Sequence, residues 1–436
     1  MFRNYFKTAV RNLINNRAFS LINIIGLSAG MAVCLFIITM VQELKSFDQF
    51  HANKDRIYRV ISDRTSNSSS SFATSPAPLY QHLVNDFPEV KQVTRILRDL
   101  NADVTFGQQT TPLNGLYVEP SFFELFDFPM LQGDPITALQ APFSVVLTTT
   151  ALERLGMDAE NIVGQNIEIA ELGLFKVTGV LDQRNVKTHL QFEVLASYAS
   201  IRPLQQAGKF RENLLSSWDD TNDHFLYFLL HPKSKTQAIV QALPTVSDRV
   251  YADMDNYRLD FRLQALTQIT PNEFLENDLS VVLPRSIVYF LSFLALLVLL
   301  TACFNYTNLS VARALTRLRE VGVRKVLGAQ RSHIFFQFIC ESILIALFAL
   351  LLAWTLLEVF IIPQFYQFSF TESLQLQLQS NAMTIFWFVL FSLFVGLMAG
   401  FLPAIYLSTF QPAQVLKSIQ SLKVFARLGW RKTLMI

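Results

Sequence analysis

Cysteine is scarce in this chain of 436 residues: Cys34, Cys303 and Cys340 are the only three. All fall in strongly apolar stretches, which excludes a disulfide scaffold. Glycine (15) and proline (16) are too few for a collagen-like or low-complexity polymer. Charged residues make up only 16%, where a soluble domain carries about 25%. A net charge of +2 is too small to suggest a nucleic-acid partner. No two glycines stand five positions apart ahead of Lys and Ser or Thr, so the chain has no phosphate-binding loop, and no nucleotide or other cofactor is expected on it. GxSxG, HExxH and SxxK are also missing, so no nucleophile or zinc site is legible and no catalytic residue is assigned.

What is abundant is apolar. Hydrophobic residues reach 51%, mean hydropathy is +0.32, and phenylalanine alone contributes 39 residues. The signal gathers in four runs: 19–41, 285–309, 334–362 and 383–406. Each is at least about 20 residues, enough to cross a hydrocarbon core of about 30 Å as a helix. A buried core helix explains one such run but not four. The expected fold class is therefore membrane α-helical, with four transmembrane helices and a large α+β extracytoplasmic domain (42–284) inserted between helices 1 and 2.

Charge sets the orientation. Segments 1–20, 310–333 and 407–436 hold 15 of the 36 Lys and Arg beside one acid, Glu320. Residues 42–284 hold 20 basic and 30 acidic residues. The positive-inside bias places both termini and the 310–333 loop in the cytoplasm, and 42–284 with the short 363–382 loop outside. The first run has the basic start of a secretory signal. It is too long for one, and no small-x-small site precedes Gln42 and Glu43, so an uncleaved anchor is expected.

The exterior part reads as mixed α+β, with room for two subdomains. Strands are expected at 56–61, 144–148, 167–169, 175–180, 224–230 and 257–266, helices at 76–87, 151–155 and 235–251, and a solvated loop at Ser66 to Ser71. Asp219, Asp220, Asp223 and His224 crowd together as a metal-ligating set would. Without paired His or Cys spacing, a polar loop entering a strand accounts for them better, and no metal ligand is assigned. His51, His82, His189 and His231 are scattered, as surface or satisfied core histidines are.

Two cytoplasmic pieces stand out. Residues 2–14, within the 1–18 segment, form an amphipathic helix with Phe2, Phe6, Ala9 and Leu13 on one stripe and Lys7 and Arg11 opposite, suited to lie in lipid headgroups. Between the second and third runs stands Arg317-Leu318-Arg319-Glu320-Val321-Gly322-Val323-Arg324-Lys325-Val326-Leu327-Gly328-Ala329. It reads as a short helix stopped by Gly328, with Val323, Val326 and Leu327 as an apolar face and Arg319, Arg324 and Lys325 around it. Within the membrane, Gly26-x-x-x-Gly30 and Gly396-x-x-x-Gly400 permit close helix packing. Glu341, inside the third run, is expected to face protein or headgroups rather than lipid.

The run RxREVGVRKVLGA, followed by Gln337-Phe338 and Glu341-Ser342, resembles the MacB/FtsX/LolC-type permeases, the type VII ABC transporter subunits. So does the layout of one span, a large exterior domain and three more spans. The opening MFRNYFKTAVRNLINNRAFSLINIIGLSAGMA, Phe47-Asp48-Gln49-Phe50-His51 before RIYRV, and Pro403 to Ser408 with Pro412 to Lys417 are similar to duplicated members of the group. The resemblance implies a bacterial inner-membrane permease without its own ATPase site. It would be driven by a cytoplasmic ABC ATPase and paired with a second permease half or a second copy. Arg317, Arg319, Glu320, Gly322, Val323, Arg324, Lys325, Leu327 and Gly328 would form the coupling helix seated on that ATPase. The spans would transmit its motion outward, for export of a peptide, lipoprotein or small toxic compound, with an outer adaptor as a further partner. A non-transporting relay to an extracytoplasmic partner is the alternative. The stretch from Arg427 to Ile436 resembles the approach to a second half.

Overall fold

The structure is a computed structural model that describes residues 2–65, 69–158, 162–184, 186–254, 257–279, 283–368 and 376–409. Two compact units divide the chain. One is built from residues 1–42, 289–372 and the chain from Leu376 onward; the other is built mainly from 43–288.

The first unit opens with α1 (Phe2–Asn15) and α2 (Arg17–Lys45). The break between them is stitched by Asn16, whose amide donates to the Asn12 carbonyl, and by Ser20, whose hydroxyl donates to the Leu13 carbonyl. Ala9 is buried and Leu13 packs on a cluster of Tyr306, Ile345 and Ala399, while Phe6 and Ile14 stay exposed. The apolar stripe of α1 is thus split between the bundle and the surroundings.

The second unit is one mixed sheet, not two subdomains. Its strands are β1 (Ile57–Thr65), β2 (Ser69–Phe72), β3 (Val90–Phe106), β4 (Gln109–Val118), β5 (Met130–Gln132), β6 (Ser144–Thr148), β7 (Asn166–Ile169), β8 (Gly173–Leu181), β9 (Val194–Ser197), β10 (His224–Leu230) and β11 (Leu259–Ala265). Their order is β11-β1-β10-β3-β4-β9-β6-β8-β5, with β2 on β1 and β7 bridging β3 and β8. Among the described strand pairs, β4–β9 and β6–β8 are parallel and the others antiparallel. Helices α3 (Leu79–Asn85), α4 (Phe122–Leu125), α5 (Thr149–Arg154), α6 (Ile201–Gln206) and α7 (Gln237–Val250) complete the unit.

The central strand β10 shows why the sheet needs cover on both faces. All seven of its residues are buried. Phe225, Tyr227 and Leu229 enter a core with Phe122, Phe126, Phe128 and Phe192. Leu226, Phe228 and Leu230 enter a second core under α3 and α7, with Leu79, Leu83, Ile239 and Leu243. Alternate residues of a strand point to opposite faces, so a run without polar alternation is stable only between two layers. A third core, around Tyr117, Val145, Leu147 and Phe175, lies under α5 and α6. The Ser-rich stretch expected as loop contributes β2, paired to β1 from Ser69 onward; residues 66–68 lie outside the described residues.

The chain returns to the first unit through α8 (Arg285–Val326), 42 residues without a break. At 1.5 Å per residue it is about 63 Å long, well beyond a bilayer core of about 30 Å. The third span is α9 (Arg331–Leu356), extended by one π turn over Leu357–Ile361 and by α10 (Ile362–Tyr366), so helix enters the segment expected as outer loop. The fourth is α11 (Ala382–Thr409). Among the described residues, four helices are long and apolar enough to cross a membrane: Arg17–Lys45, Arg285–Arg313, Arg331–Tyr366 and Ala382–Thr409. Pro412 to Lys417 and the stretch from Arg427 lie outside the described residues.

Close packing in this bundle falls on the predicted glycines unequally. A Cβ at Gly396 would stand 2.9 Å from the Ile343 backbone, and one at Gly400 would overlap the Ser342 side chain. At Gly30 the nearest neighbour would be Ala302 Cβ at 3.1 Å; at Gly26, Asn305 Nδ2 at an ordinary 3.6 Å. The α9–α11 contact is the tight one. Tyr306 Oη donates to Ser342 Oγ at 2.8 Å and ties α8 to the same spot. Glu341 is buried and accepts from Asn12 Nδ2 at 2.6 Å, so it faces protein as expected.

Candidate coupling site

The segment read as a separate short helix is the far end of α8. Nothing in Ala314–Val326 breaks the helix, because the sequence there has neither proline nor a β-branched run. The stop comes at Gly328, with φ +96°. The Gly328 N–H bonds the Lys325 carbonyl at 3.1 Å and the Ala329 N–H bonds the Arg324 carbonyl at 3.0 Å, the paired bonds of a Schellman cap. Any residue with a Cβ would be strained at that φ.

Around this cap the side chains divide. Val323, Val326 and Leu327 are 58%, 73% and 81% exposed. Arg324 Nη1 donates to Gln337 Oε1 of α9 at 2.9 Å, and Lys325 Nζ donates to the Ser408 carbonyl in the last turn of α11 at 2.7 Å. Lys325 therefore sits where a helix C-terminus favours a cation. The expected fan of basic residues is corrected on this point: two of its cations brace the tip against neighbouring helices, and the apolar triad is what stands out. Val321 is buried beside them and Gly322 is half-buried on the same turn. The helix includes Arg317, Arg319 and Glu320, but their side chains lie outside the described residues.

In the exterior unit, the outer ends of α2 and α8 are clamped. Glu43 pairs with Lys187 Nζ at 2.6 Å. Asp48, at φ +58°, accepts from Thr188 Oγ1 at 2.7 Å and bonds His189 Nδ1 at 2.8 Å, while its N–H donates to the Lys187 carbonyl at 2.8 Å. His189 Nε2 lies 2.8 Å from Tyr227 Oη on β10. The tautomer that satisfies both contacts carries its proton on Nδ1 and accepts from the tyrosine. Burial works to raise the Asp48 pKa, but His189 and Thr188 hold it below the usual carboxylate value. The start of α8 is fixed by Arg285, whose Nε and Nη2 donate to the Pro271 and Gln268 carbonyls at 2.7 and 2.6 Å. Sequence reading missed Asp48 and His189 as partners. They are 141 positions apart, and the sequence signal at this site was the Phe47-Asp48-Gln49-Phe50-His51 motif, which names no partner for Asp48.

The acidic cluster is a polar loop. Arg211 Nη2 bonds both Asp220 and Asp223, and among the described residues no group of three or more His, Cys, Asp and Glu could hold a metal ion. His224 beside it is buried with neither ring nitrogen hydrogen-bonded. Burial drives His224 down to about 3 and His51 to about 4. An unfolded chain protonates both near 6.5. Their contribution to stability is therefore complete above pH 6.5 and lost as pH falls toward those values. His224→Phe should remove about 2 kcal/mol of the destabilisation between pH 6.5 and 5, read as a flatter pH dependence of hydrogen-exchange protection in β10.

Residues 20–246 match the model of the MacB-like periplasmic core domain, slightly more than half of the chain, and residues 292–412 match the FtsX-like permease C-terminal model. This chain belongs to the MacB/FtsX-type ABC permeases. It is 23% identical over 371 residues to the "Probable export ATP-binding/permease protein MacB" of Pseudomonas entomophila, covering 80% of this chain and 49% of that protein. Identity is also 23%, over 246 residues, to the macrolide export ATP-binding/permease protein MacB 1 of Yersinia pestis, covering 56% and 34%. The permease thus spans between a third and a half of these relatives. The periplasmic region of MacB from Actinobacillus actinomycetemcomitans aligns with TM-score 0.33 and 12% identity over 47% of the permease and 88% of that chain. The matched models place a multi-pass membrane protein in the family, with its core domain between the first two spans.

Proposed function

We propose that this permease converts ATP-driven movement at the α8–α9 tip into movement of its exterior domain, in an export complex whose ATP hydrolysis takes place on another subunit or domain. The observation that carries the reading is the tip itself. Val323, Val326 and Leu327 project from a Schellman-capped end braced by Arg324 and Lys325. A capped and braced helix end that offers an apolar knob suits the seating of a separate subunit, and the same helix continues without a break from the exterior domain. The positive-inside pattern supports a cytoplasmic side for that knob, α1 and both termini, where an ABC ATPase works. Cargo passing outside the membrane, such as a peptide, lipoprotein or small toxic compound, fits the export names of the relatives. A second permease half or a second copy would complete the complex, and an outer adaptor would receive the cargo.

In this reading the apolar triad seats in the ATPase and the cations position it. Val323→Asp with Leu327→Asp should therefore lower recovery of the co-expressed ABC ATPase at least about tenfold, with the melting temperature of the permease unchanged, because buried charge without a partner disrupts an interface. Undiminished recovery of the ATPase would overturn the assignment. Charge reversal at Lys325 is a poorer test, since it also removes the cap of α11.

A further inference from the structure

A polar cleft of about 670 Å³ opens between α1, the end of α8 and the start of α9. Lys7 and Arg11 from α1 and Arg313 and Arg324 from α8 line it, together with the amides of Asn15 and Gln337. Among its described lining residues there is no carboxylate. Glu341 lies next to it, buried, accepting from Asn12 of the cleft wall and lining a small adjoining cavity with Arg313. Two of the cations are held by geometry: Arg313 lies 4.3 Å from the centre of the Phe19 ring, and Arg324 is bonded to Gln337. Lys7 and Arg11 are exposed at the mouth. Four cations converging on one cavity with amide donors match a phosphate group in charge and in hydrogen-bonding capacity.

A phosphate could arrive on a lipid or as a free ion. The surroundings favour the lipid. The same helix that supplies Lys7 and Arg11 leaves Phe6 and Ile14 exposed, 57% and 56%, and the cleft lies at the ends of membrane-spanning helices. Cationic donors next to unpartnered apolar side chains suit a headgroup with its acyl chains, and a free anion would have no use for the apolar part.

We propose that this cleft is a binding site for the phosphodiester headgroup of an anionic phospholipid. Lys7 and Arg11 close over the phosphate from α1, and Arg313 and Arg324 form the floor. An occupied site would fasten α1 to the α8–α9 corner and brace the base of the tip from the membrane side. The site does not depend on an ATPase docking at the tip, because the purified permease alone should show it.

The test is native mass spectrometry of the full chain in detergent after incubation with phosphatidylglycerol or phosphatidylcholine. Phosphatidylglycerol adducts should survive and phosphatidylcholine adducts should not. Lys7→Gln with Arg11→Gln should weaken retention about tenfold or more, while Lys7→Arg with Arg11→Lys should keep it. Retention by the wild type should fall as salt is raised, a measurement that needs no variant. Equal retention of the two lipids, or no effect of the glutamine pair, would overturn the proposal. So would displacement of the lipid by inorganic phosphate, which would mark a free-anion site. If the glutamine pair left lipid retention intact but abolished ATPase recovery, the cleft would be a protein contact instead.

Discussion

Valine at Gly396 and Gly400 together should leave little folded permease in detergent extracts. Cβ atoms there meet the backbone of Ile343 and the side chain of Ser342, and neither neighbour can yield cheaply. Ile343 is part of a helix backbone, and Ser342 Oγ is already committed to the Phe338 carbonyl and to Tyr306. Overpacking of this kind costs about 1–3 kcal/mol at one site and more when α9 and α11 must separate. We expect a loss of at least about 3 kcal/mol for the pair, seen as a shift from a monodisperse peak to aggregate on size exclusion. Gly26→Ala is the control: its nearest contact would be an ordinary 3.6 Å, and it should purify like the wild type. Equal behaviour of the two variants would show that the α9–α11 contact does not hold the bundle.

The second large effect lies in the exterior domain, at Arg59. This guanidinium is fully buried on β1, 2.7 Å from Asp278 Oδ1 and 2.7 Å from Gln264 Oε1. Asn272 Nδ2 donates to the other Asp278 oxygen at 2.6 Å. Burial alone would raise the Asp278 pKa, but the charge and hydrogen bonds of Arg59 hold it below the usual carboxylate value. Arg59→Met leaves that carboxylate buried without its cation, a change that typically costs about 3–5 kcal/mol. For a domain of this size the melting temperature should drop by about 6–20 °C. Adding Asp278→Leu should recover at least half of the loss, because removing both charges is far less costly than removing one. The sign with pH follows. A depressed carboxylate stabilises above its unfolded pKa and loses that contribution as pH falls through the folded value, so the gap between wild type and Arg59→Met should narrow below about pH 3.8. A constant gap would mean that the pair is not what Arg59 contributes.

The legible and illegible parts of this molecule differ in range. Periodic or extreme local patterns were readable: the four apolar runs, the β10 run HFLYFLL, the amphipathic α1 and the stop at Gly328 all lie where the sequence places them. Strands β3 and β4 were missed although residues 100–106 alternate, with Leu100, Ala102, Val104 and Phe106 packed on a core and Asn101, Asp103 and Thr105 between them; the stretch is short and rich in polar residues, and its partner strand lies in another segment. The length of α8 escaped for another reason. A change from apolar to charged residues marks the end of a membrane segment but not the end of a helix, and nothing after Tyr306 stops the helix before Gly328. At the tip, the sequence reads Arg324 and Lys325 as part of a cationic fan, whereas the structure bonds them to Gln337 and Ser408 on other helices, partners that no local pattern reveals.

By itself, then, the amino-acid order determined the membrane class, the count of spans, the position of the inserted domain and the family motif, because each rests on composition within a window of about 20 residues. Tertiary structure alone decided which cations brace and which apolar residues stand free, which glycines bear the helix contact, and that Asp48 meets His189. Those outcomes depend on distances between residues far apart in the chain, and no local pattern carries that information.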